Sequence, residues 1–181
     1  MSAGFGRLFV DRRPLPAGPG LALLSLGSNE QPERHLRAAV AELRQRFGHV
    51  ALSPVCRTPA LGFEGPDFLN CAAAIHSDLD PQALNDWLHA LEERHGRRRD
   101  VPRFSSRTID VDMVYFDGRV MRGEGNLELP RPERKHAFVL KPLADLAPEF
   151  IDPVSGHTLA AMWLAHPEAA TPPVIECIDL G

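Results

Sequence analysis

The sequence has few cysteines, no long apolar segment and no excess of positive charge. Its 181 residues include three scattered cysteines, which are too few for a disulfide framework or a zinc knuckle. No stretch approaches the ~18–20 uninterrupted apolar residues that cross a bilayer. The formal net charge is −4, which argues against a protein that coats nucleic acid. We therefore expect neither a nucleic-acid partner nor a membrane partner.

The length accommodates one domain. Residues 1–20 are rich in proline and glycine and predict an N-terminal extension, followed by a single domain over residues 21–181. The arginines near the N-terminus are not followed by the apolar core of a signal peptide. An odd cysteine count without a C-x-x-C pair is typical of a reducing compartment. These features predict a cytoplasmic chain.

The sequence also lacks the common glycine-rich nucleotide loops. No G-x-x-x-x-G-K-[ST] occurs, and no G-x-G-x-x-G opens a helix. If the protein binds a nucleotide, arginines and a metal must hold the phosphates, and catalysis would rest on positioning and charge neutralisation.

The spacing of apolar residues predicts alternating strands and helices. The expected strands are Leu21–Leu26, Val50–Arg57, Phe68–His76, Thr108–Phe116, Phe138–Leu140 and an edge strand at Val174–Ile178. Three expected helices start at Pro32, Pro81 and Lys141-Pro142, and Gly48 and Gly96 end the first two. A fourth helix is expected at Thr158–Ala165. Asp117-Gly118 predicts a hairpin turn. The leading order, β-α-β-β-α-β, predicts an α+β ferredoxin-like sandwich, an antiparallel-rich sheet with helices packed on it.

The strand before Asp117 carries two carboxylates. Strict alternation places Asp110, Asp112, Val114 and Phe116 on one face, opposite Ile109, Val111, Met113 and Tyr115. The two aspartate Cα atoms would be roughly 6.5 Å apart. Carboxylates this close raise each other's pKa unless a cation lies between them, and Mg²⁺ shared with substrate phosphates would supply it. The alternative is an exposed strand face whose acids discourage edge pairing.

An arginine cluster directly precedes this strand. Six arginines fall within the fourteen residues that end at Arg107, and their guanidinium groups match phosphate geometry. A solvated loop after a helix would have the same composition. The D-x-D pattern three residues after the cluster favours a metal–polyphosphate site.

A second group of residues surrounds a Pro/Gly loop. Asn70 lies opposite the apolar row of its strand and offers a donor and an acceptor, as the edge of a heterocycle requires. Phe68 could stack on a flat ring. Alternatively, Phe68 is ordinary core and Asn70 a hydrogen-bonding residue at a loop end.

Four motifs together resemble those of a known family. They are Leu26-Gly27-Ser28-Asn29, T-P-x-L-G…P-D-F-L-N beginning at Thr58, G-R-x-R beginning at Gly96, and R-T-I-D-V-D beginning at Arg107. In order and spacing they resemble 6-hydroxymethyl-7,8-dihydropterin pyrophosphokinase of folate biosynthesis, over roughly Leu21 to Phe150. The resemblance implies a ferredoxin-like fold and transfer of pyrophosphate from ATP to the pterin hydroxymethyl group with two Mg²⁺. The expected partners are therefore ATP and a reduced pterin, with the protein a monomer or weak dimer.

The resemblance implies a role for each matching residue. The metals would be held by Asp110 and Asp112. The nucleotide and its phosphates would be bound by Glu92, Arg97, Arg99, Arg103, Phe104, Arg107 and Thr108, with Arg97 and Arg107 among the catalytic residues. The pterin would be bound by Gly27, Thr58, Pro59, Leu61, Phe68, Asn70 and Phe138.

The sequence departs from the family pattern in two loops. The family's R-W-G-P-R-T corresponds here to residues 103–108, where Ser-Ser replaces Gly-Pro. In a later segment, one residue shorter, Arg131 stands where a histidine is expected and His136 where an arginine is expected. The resemblance gives both a catalytic role at the phosphates. The altered loop leaves open a catalytically weak paralogue that binds pterin or nucleotide as a carrier or regulator. A ligand-free interaction domain is disfavoured by the D-x-D pattern and the arginines.

Overall fold

A computed structural model describes residues 20–97, 100, 102 and 105–181. The predicted N-terminal extension, apart from Gly20, and three predicted nucleotide-binding residues, Arg99, Arg103 and Phe104, lie outside this part of the chain.

The described residues form strands β1–β8, helices α1–α4 and two 3₁₀ helices. The strands are β1 Leu21–Ser28, β2 Ala51–Leu52, β3 Val55–Thr58, β4 Phe68–His76, β5 Asp110–Phe116, β6 Met121–Arg122, β7 Glu128–Leu129 and β8 Val174–Glu176. The α-helices are α1 Pro32–Phe47, α2 Pro81–Arg94, α3 Ala137–Leu146 and α4 Leu159–Leu164, and the 3₁₀ helices are Pro132–Lys135 and Pro167–Ala170.

Six strands form one antiparallel sheet. Its order is β5-β1-β4-β3-β8, with β2 also paired to β4. The elements from β1 to β5 follow the predicted β-α-β-β-α-β succession, which confirms the α+β class. Strand β8 lies at the edge next to β3, where the sequence predicts an edge strand.

Each face of the sheet carries a hydrophobic core. On one face, α1 and α2 pack against alternate residues of the strands, among them Leu24 of β1 and Val111 of β5. On the other face, α3 and α4 pack against Leu23, Ala74 and Tyr115. Within the described residues, no helix is both long and apolar enough to cross a membrane. The second core covers only part of its face and leaves the rest for polar residues of β1, β4 and β5.

The local signals that start and end helices operate as predicted. The Asp80 carboxylate accepts a hydrogen bond from the Ala83 N–H at 2.9 Å and so caps α2. Helix α1 starts at Pro32 and ends before Gly48, whose φ of 79° suits glycine.

The predicted strand Val50–Arg57 is interrupted by Ser53 and Pro54. The Ser53 hydroxyl accepts the Ala72 N–H at 2.8 Å and donates to the Pro54 carbonyl at 2.8 Å. Proline has no N–H for the ladder. The segment therefore forms two short strands, β2 and β3.

The strict alternation predicted for β5 is wrong at its end. A register shift relative to β1 between Leu23 and Leu24 pairs these residues with Tyr115 and Met113. As a result Tyr115 enters the core under α3, while Phe116 joins the core under α1 and α2. A bulge of this kind moves later side chains to the opposite face.

Two further predictions after β5 are wrong. Residues Phe138–Leu140 belong to α3, which starts at Ala137 and contains Pro142 in its interior. Proline is favoured in the first turn of a helix, which is why the sequence predicts a start at Lys141-Pro142, later than the observed start at Ala137. Asp117-Gly118 forms a turn, but β6 then pairs with β7 and not with β5, so no hairpin is made there.

Candidate active site

One row of residues crosses strands β4, β1 and β5 on the open part of the face that carries α3. Gly27 of β1 is paired with Asn70 of β4 on one side and with Asp110 of β5 on the other. Residues paired across strands project from the same face. At about 4.8 Å between strands, the Asn70 and Asp110 backbones are roughly 10 Å apart. Gly27, which has no side chain, thus lies between an amide and a carboxylate.

The amide end of the row is tightly fixed. Asn70 is buried, and its Nδ2 donates to Thr58 Oγ1 at 2.7 Å. A β-carbon on Gly27 would lie 2.6 Å from Asn70 Oδ1, closer than side chains approach. Phe68 pairs with Thr58 across the strands and packs edge to face with Phe63, with ring centroids 6.3 Å apart. An oriented amide beside an aromatic ring can bind the polar edge of a flat heterocycle.

The loop that follows Thr58 is open. Pro59 is exposed, and Leu61 is 55% exposed. The structure therefore places Gly27, Thr58, Phe68 and Asn70 together and leaves Pro59 and Leu61 at the surface above them.

The carboxylate end contains a partly buried ion cluster, in which Glu92 is the buried member. Arg97 Nη1 contacts both Glu92 Oε2 and Asp110 Oδ1, the latter at 2.5 Å. Glu92 is fully buried, and its Oε1 accepts the Val111 N–H at 2.8 Å. Burial raises the pKa of Glu92 to about 8, with Asp110 adding to the rise and Arg97 opposing it. Glu92 thus fixes both the Asp110–Asp112 backbone and Arg97.

Asp112 forms an ion pair with a different arginine, Arg131. Arg131 Nη2 lies 3.1 Å from Asp112 Oδ1. Burial and the Asp110 carboxylate raise the pKa of Asp112 to about 6, against the effect of Arg131 and Arg97. Among the described residues, no group of three or more His, Cys, Asp or Glu is placed to hold a metal, so the two aspartates are not part of a closed protein cage.

The donor set fits Mg²⁺. Two carboxylates project from one face of β5, and the charge of Asp110 helps to raise the pKa of Asp112. Mg²⁺ prefers hard oxygen ligands and is commonly held by one or two carboxylates, with water and substrate phosphates filling the rest. The described residues match that pattern better than a closed site.

Two residues of the β1–α1 turn brace the arginine loop, a role that the sequence analysis did not assign. Asn29 Oδ1 accepts the Arg107 N–H at 2.7 Å, and its Nδ2 donates to the Pro66 carbonyl at 3.1 Å. Ser28 Oγ donates to the Thr108 carbonyl at 2.5 Å. The only sequence signal for this role is that Ser28 and Asn29 directly follow Gly27 in the first family motif. This bracing ties the loop before β4 to the loop before β5.

Of the remaining predicted residues, Arg107 and Thr108 lie beside the row. Their backbones meet the turn after Gly27, and Thr108 Oγ1 is buried without a hydrogen-bond partner among the described residues. The His136 ring stacks on Phe138, with centroids 5.2 Å apart and planes 8° apart.

Comparison with known proteins identifies the family. A family model described as 7,8-dihydro-6-hydroxymethylpterin-pyrophosphokinase matches residues 23–148. The chain belongs to this pyrophosphokinase family. Its resemblance in motifs to that family is therefore confirmed.

Two relatives support the same assignment, and a solved structure supports the fold. The 2-amino-4-hydroxy-6-hydroxymethyldihydropteridine pyrophosphokinase of Synechocystis is 32% identical over 88% of this chain and 83% of its own length. The Pseudomonas aeruginosa protein of the same name is 38% identical over 74% of this chain and 85% of its own length. The crystal structure of a Plasmodium falciparum HPPK-DHPS variant superimposes with a TM-score of 0.64 at 14% identity, over 79% of this chain. The chain spans 41% of that structure's chain, and the likeness confirms the ferredoxin-like fold of this pyrophosphokinase.

Proposed function

We propose that this chain transfers the terminal pyrophosphoryl group of ATP to the hydroxymethyl group of 6-hydroxymethyl-7,8-dihydropterin. The hydroxyl oxygen forms a bond to the β-phosphorus and loses its proton to solvent. The bond between the β-phosphorus and the oxygen of the α-phosphate breaks, so AMP leaves.

The row Asn70–Gly27–Asp110 carries the proposal. Asn70 and Phe68 would hold the pterin at one end, and phosphates would lie near Asp110 and Asp112 at the other. Because Gly27 has no side chain, nothing on β1 would stand between the two ends as the hydroxymethyl group reaches toward the phosphates. Holding two reactants in attack geometry is a large source of rate enhancement.

Asp110 and Asp112 would hold two Mg²⁺ together with the phosphates of ATP. When bound, Mg²⁺ neutralises charge on the phosphoryl group that is transferred. Arg97 and Arg131, which now lie against the aspartates, would then be available to phosphate oxygens. Both remain charged at any physiological pH and have several donors.

We further propose that the enzyme works in the cytoplasm as a monomer or weak dimer, without nucleic-acid or membrane partners. The free cysteines Cys56, Cys71 and Cys177 support a reducing compartment. The net charge of −4 supports small-molecule partners.

The deciding experiment measures AMP release from ATP with and without 6-hydroxymethyl-7,8-dihydropterin in the presence of Mg²⁺. We expect release that depends on both the pterin and Mg²⁺, and that is lost when Asp110 and Asp112 are both replaced by Asn. Binding of pterin or ATP without AMP release would instead support the carrier or regulator alternative, which the altered segment around Arg131 and His136 motivates.

A further inference from the structure

Arg131 is held in place at both its backbone and its side chain. Its N–H donates to the Val114 carbonyl of β5 at 3.0 Å, and its carbonyl accepts the Arg134 N–H at 3.2 Å. The guanidinium contacts Asp112 at 3.1 Å and lies 3.4 Å from the Asn126 carbonyl. Fixing the N–H and the carbonyl of one residue determines the direction in which its side chain leaves the backbone.

Arg134 makes a second contact with the same carbonyl. Its Nη1 donates to the Arg131 carbonyl at 3.2 Å, while its Nε donates to Asp152 Oδ2 at 2.7 Å. Only 10% of the Arg134 side chain is exposed. The guanidinium therefore bridges a buried carboxylate and the backbone of Arg131.

Asp152 is itself fully braced. It is completely buried, and the Tyr115 hydroxyl donates to its Oδ2 at 2.7 Å. Its Oδ1 accepts the N–H groups of Val154 and Ser155 at 2.8 and 2.9 Å. Tyr115, which braces Asp152, and Val114, which accepts the Arg131 N–H, are adjacent residues of β5, the strand that also carries Asp112.

We propose that Arg134, braced by Asp152, is a positioning residue that holds Arg131 at the phosphate end of the active site. The inference rests on the proposed function, because it assigns Arg131 to the phosphates of ATP. A four-residue 3₁₀ turn follows Arg131, and a turn this short has few hydrogen bonds of its own. The hydrogen bond from the Arg134 guanidinium to the Arg131 carbonyl adds support that the turn itself lacks.

The test is a double-mutant cycle on the rate of AMP formation. The four proteins are the unmodified chain, Arg134→Met, Arg131→Ala and the double variant. We expect Arg134→Met alone to lower kcat roughly 10- to 100-fold, as misplacement of a catalytic group by about 1 Å does, with KM for the pterin unchanged. In the Arg131→Ala background the same change should alter kcat by less than about 2-fold, because Arg134 acts through Arg131.

A role confined to stability predicts a different result. Arg134→Met would then lower the melting temperature and leave kcat per folded molecule unchanged, or would lower kcat by the same factor in both backgrounds, and either result overturns the proposal. Tyr115→Phe is the matched control, because it removes a hydrogen bond to the same Asp152 oxygen and leaves the contact with Arg131. It should lower the melting temperature and leave kcat within about 2-fold.

Two outcomes require a change in the experiment: a variant that does not fold, and an unmodified protein that releases no AMP. If Arg134→Met does not fold, Arg134→Lys takes its place in the cycle, because lysine keeps the buried charge for Asp152 but lacks the fork that also reaches the Arg131 carbonyl. If the unmodified protein releases no AMP, the proposed function fails, and the same cycle is measured on ATP affinity. Coupling between positions 131 and 134 in that affinity supports the positioning role, and independent effects overturn it.

Discussion

Gly27 and Asn70 are directly paired across β1 and β4, with no room between them for a β-carbon. A β-carbon on Gly27 would lie 2.6 Å from Asn70 Oδ1 and 3.8 Å from the Phe68 ring. Asn70 is also bonded to Thr58. The glycine thus lets Asn70 keep its orientation, which is the property that a heterocycle-binding amide needs.

Gly27→Ala should therefore weaken pterin binding while the protein still folds. The new methyl group must turn the Asn70 amide away from Thr58, and overpacking of this kind costs about 1–3 kcal/mol. Calorimetric titration with the pterin and with ATP measures both affinities, and we expect only the pterin affinity to fall. In an Asn70→Ala background the change at Gly27 should add little, since its target is gone. Equal losses for both ligands would point to general disruption of the sheet.

Neutralising Asp110 or Asp112 to Asn should lower turnover by roughly 10²–10⁴, because charge stabilisation by a metal contributes several kcal/mol to catalysis. Asp78→Asn is a suitable control, since Asp78 also pairs with an arginine, Arg46, but far from the site on an exposed surface. Turnover is measured across a Mg²⁺ titration. Unchanged Mg²⁺-dependent ATP binding in the doubly neutralised protein would contradict the metal assignment.

His136 should compete with the pterin for Phe138. The two rings are already stacked at 5.2 Å, and aromatic pairs contribute about 0.5–1.5 kcal/mol beyond the area they bury. His136→Ala should therefore tighten pterin binding about 2- to 12-fold if the pterin stacks on Phe138. His166, which stacks on Trp163 at 5.3 Å, is the matched control, and His166→Ala should leave the affinity unchanged.

The same variant separates the two roles considered for His136. A contribution to the phosphates would lower kcat in His136→Ala, whereas a role at Phe138 alone would change KM for the pterin. Weaker pterin binding without a change in kcat would contradict the competition.

Asp152 should make stability depend on pH in the acid range. Burial acts to raise its pKa, but hydrogen bonds from the Ser155 N–H, Tyr115 and Arg134 outweigh it and lower the pKa to about 2. The resulting stabilisation, about 2 kcal/mol, is complete above the ordinary pKa near 4 and is lost as the pH falls from about 4 to 2. Denaturant unfolding at a series of pH values measures the effect.

The Asp152→Asn variant should lack this pH-dependent part of the free energy of unfolding. At pH 7 it should be less stable by about 3–5 kcal/mol, since Arg134 loses its buried partner, and the difference should narrow as the pH approaches 2. A difference that stays constant between pH 5 and 2 would show that Asp152 is not ionised through these hydrogen bonds.

Features encoded within a few residues were predictable from the sequence. The alternation in Phe68–His76 defined β4 to the residue, and Asp80 before Pro81 marked the start of α2. The pair Asp110 and Asp112 on one strand face, and Asn70 opposite the apolar row, followed from the two-residue period of a strand. The family motifs then indicated the chemistry, which the comparisons confirmed.

Tertiary structure decided what depends on distant partners. The shift of β5 against β1 sent Tyr115 to the opposite core, and only there can its hydroxyl meet Asp152. Burial of Arg134 required a carboxylate eighteen residues away. Periodicity and propensity describe each segment in isolation, whereas strand register and the pairing of buried charges depend on which segments meet when the chain closes. For that reason the sequence by itself determined the elements and the candidate carboxylates, and the folded structure alone decided that Arg131 meets Asp112 while His136 meets Phe138.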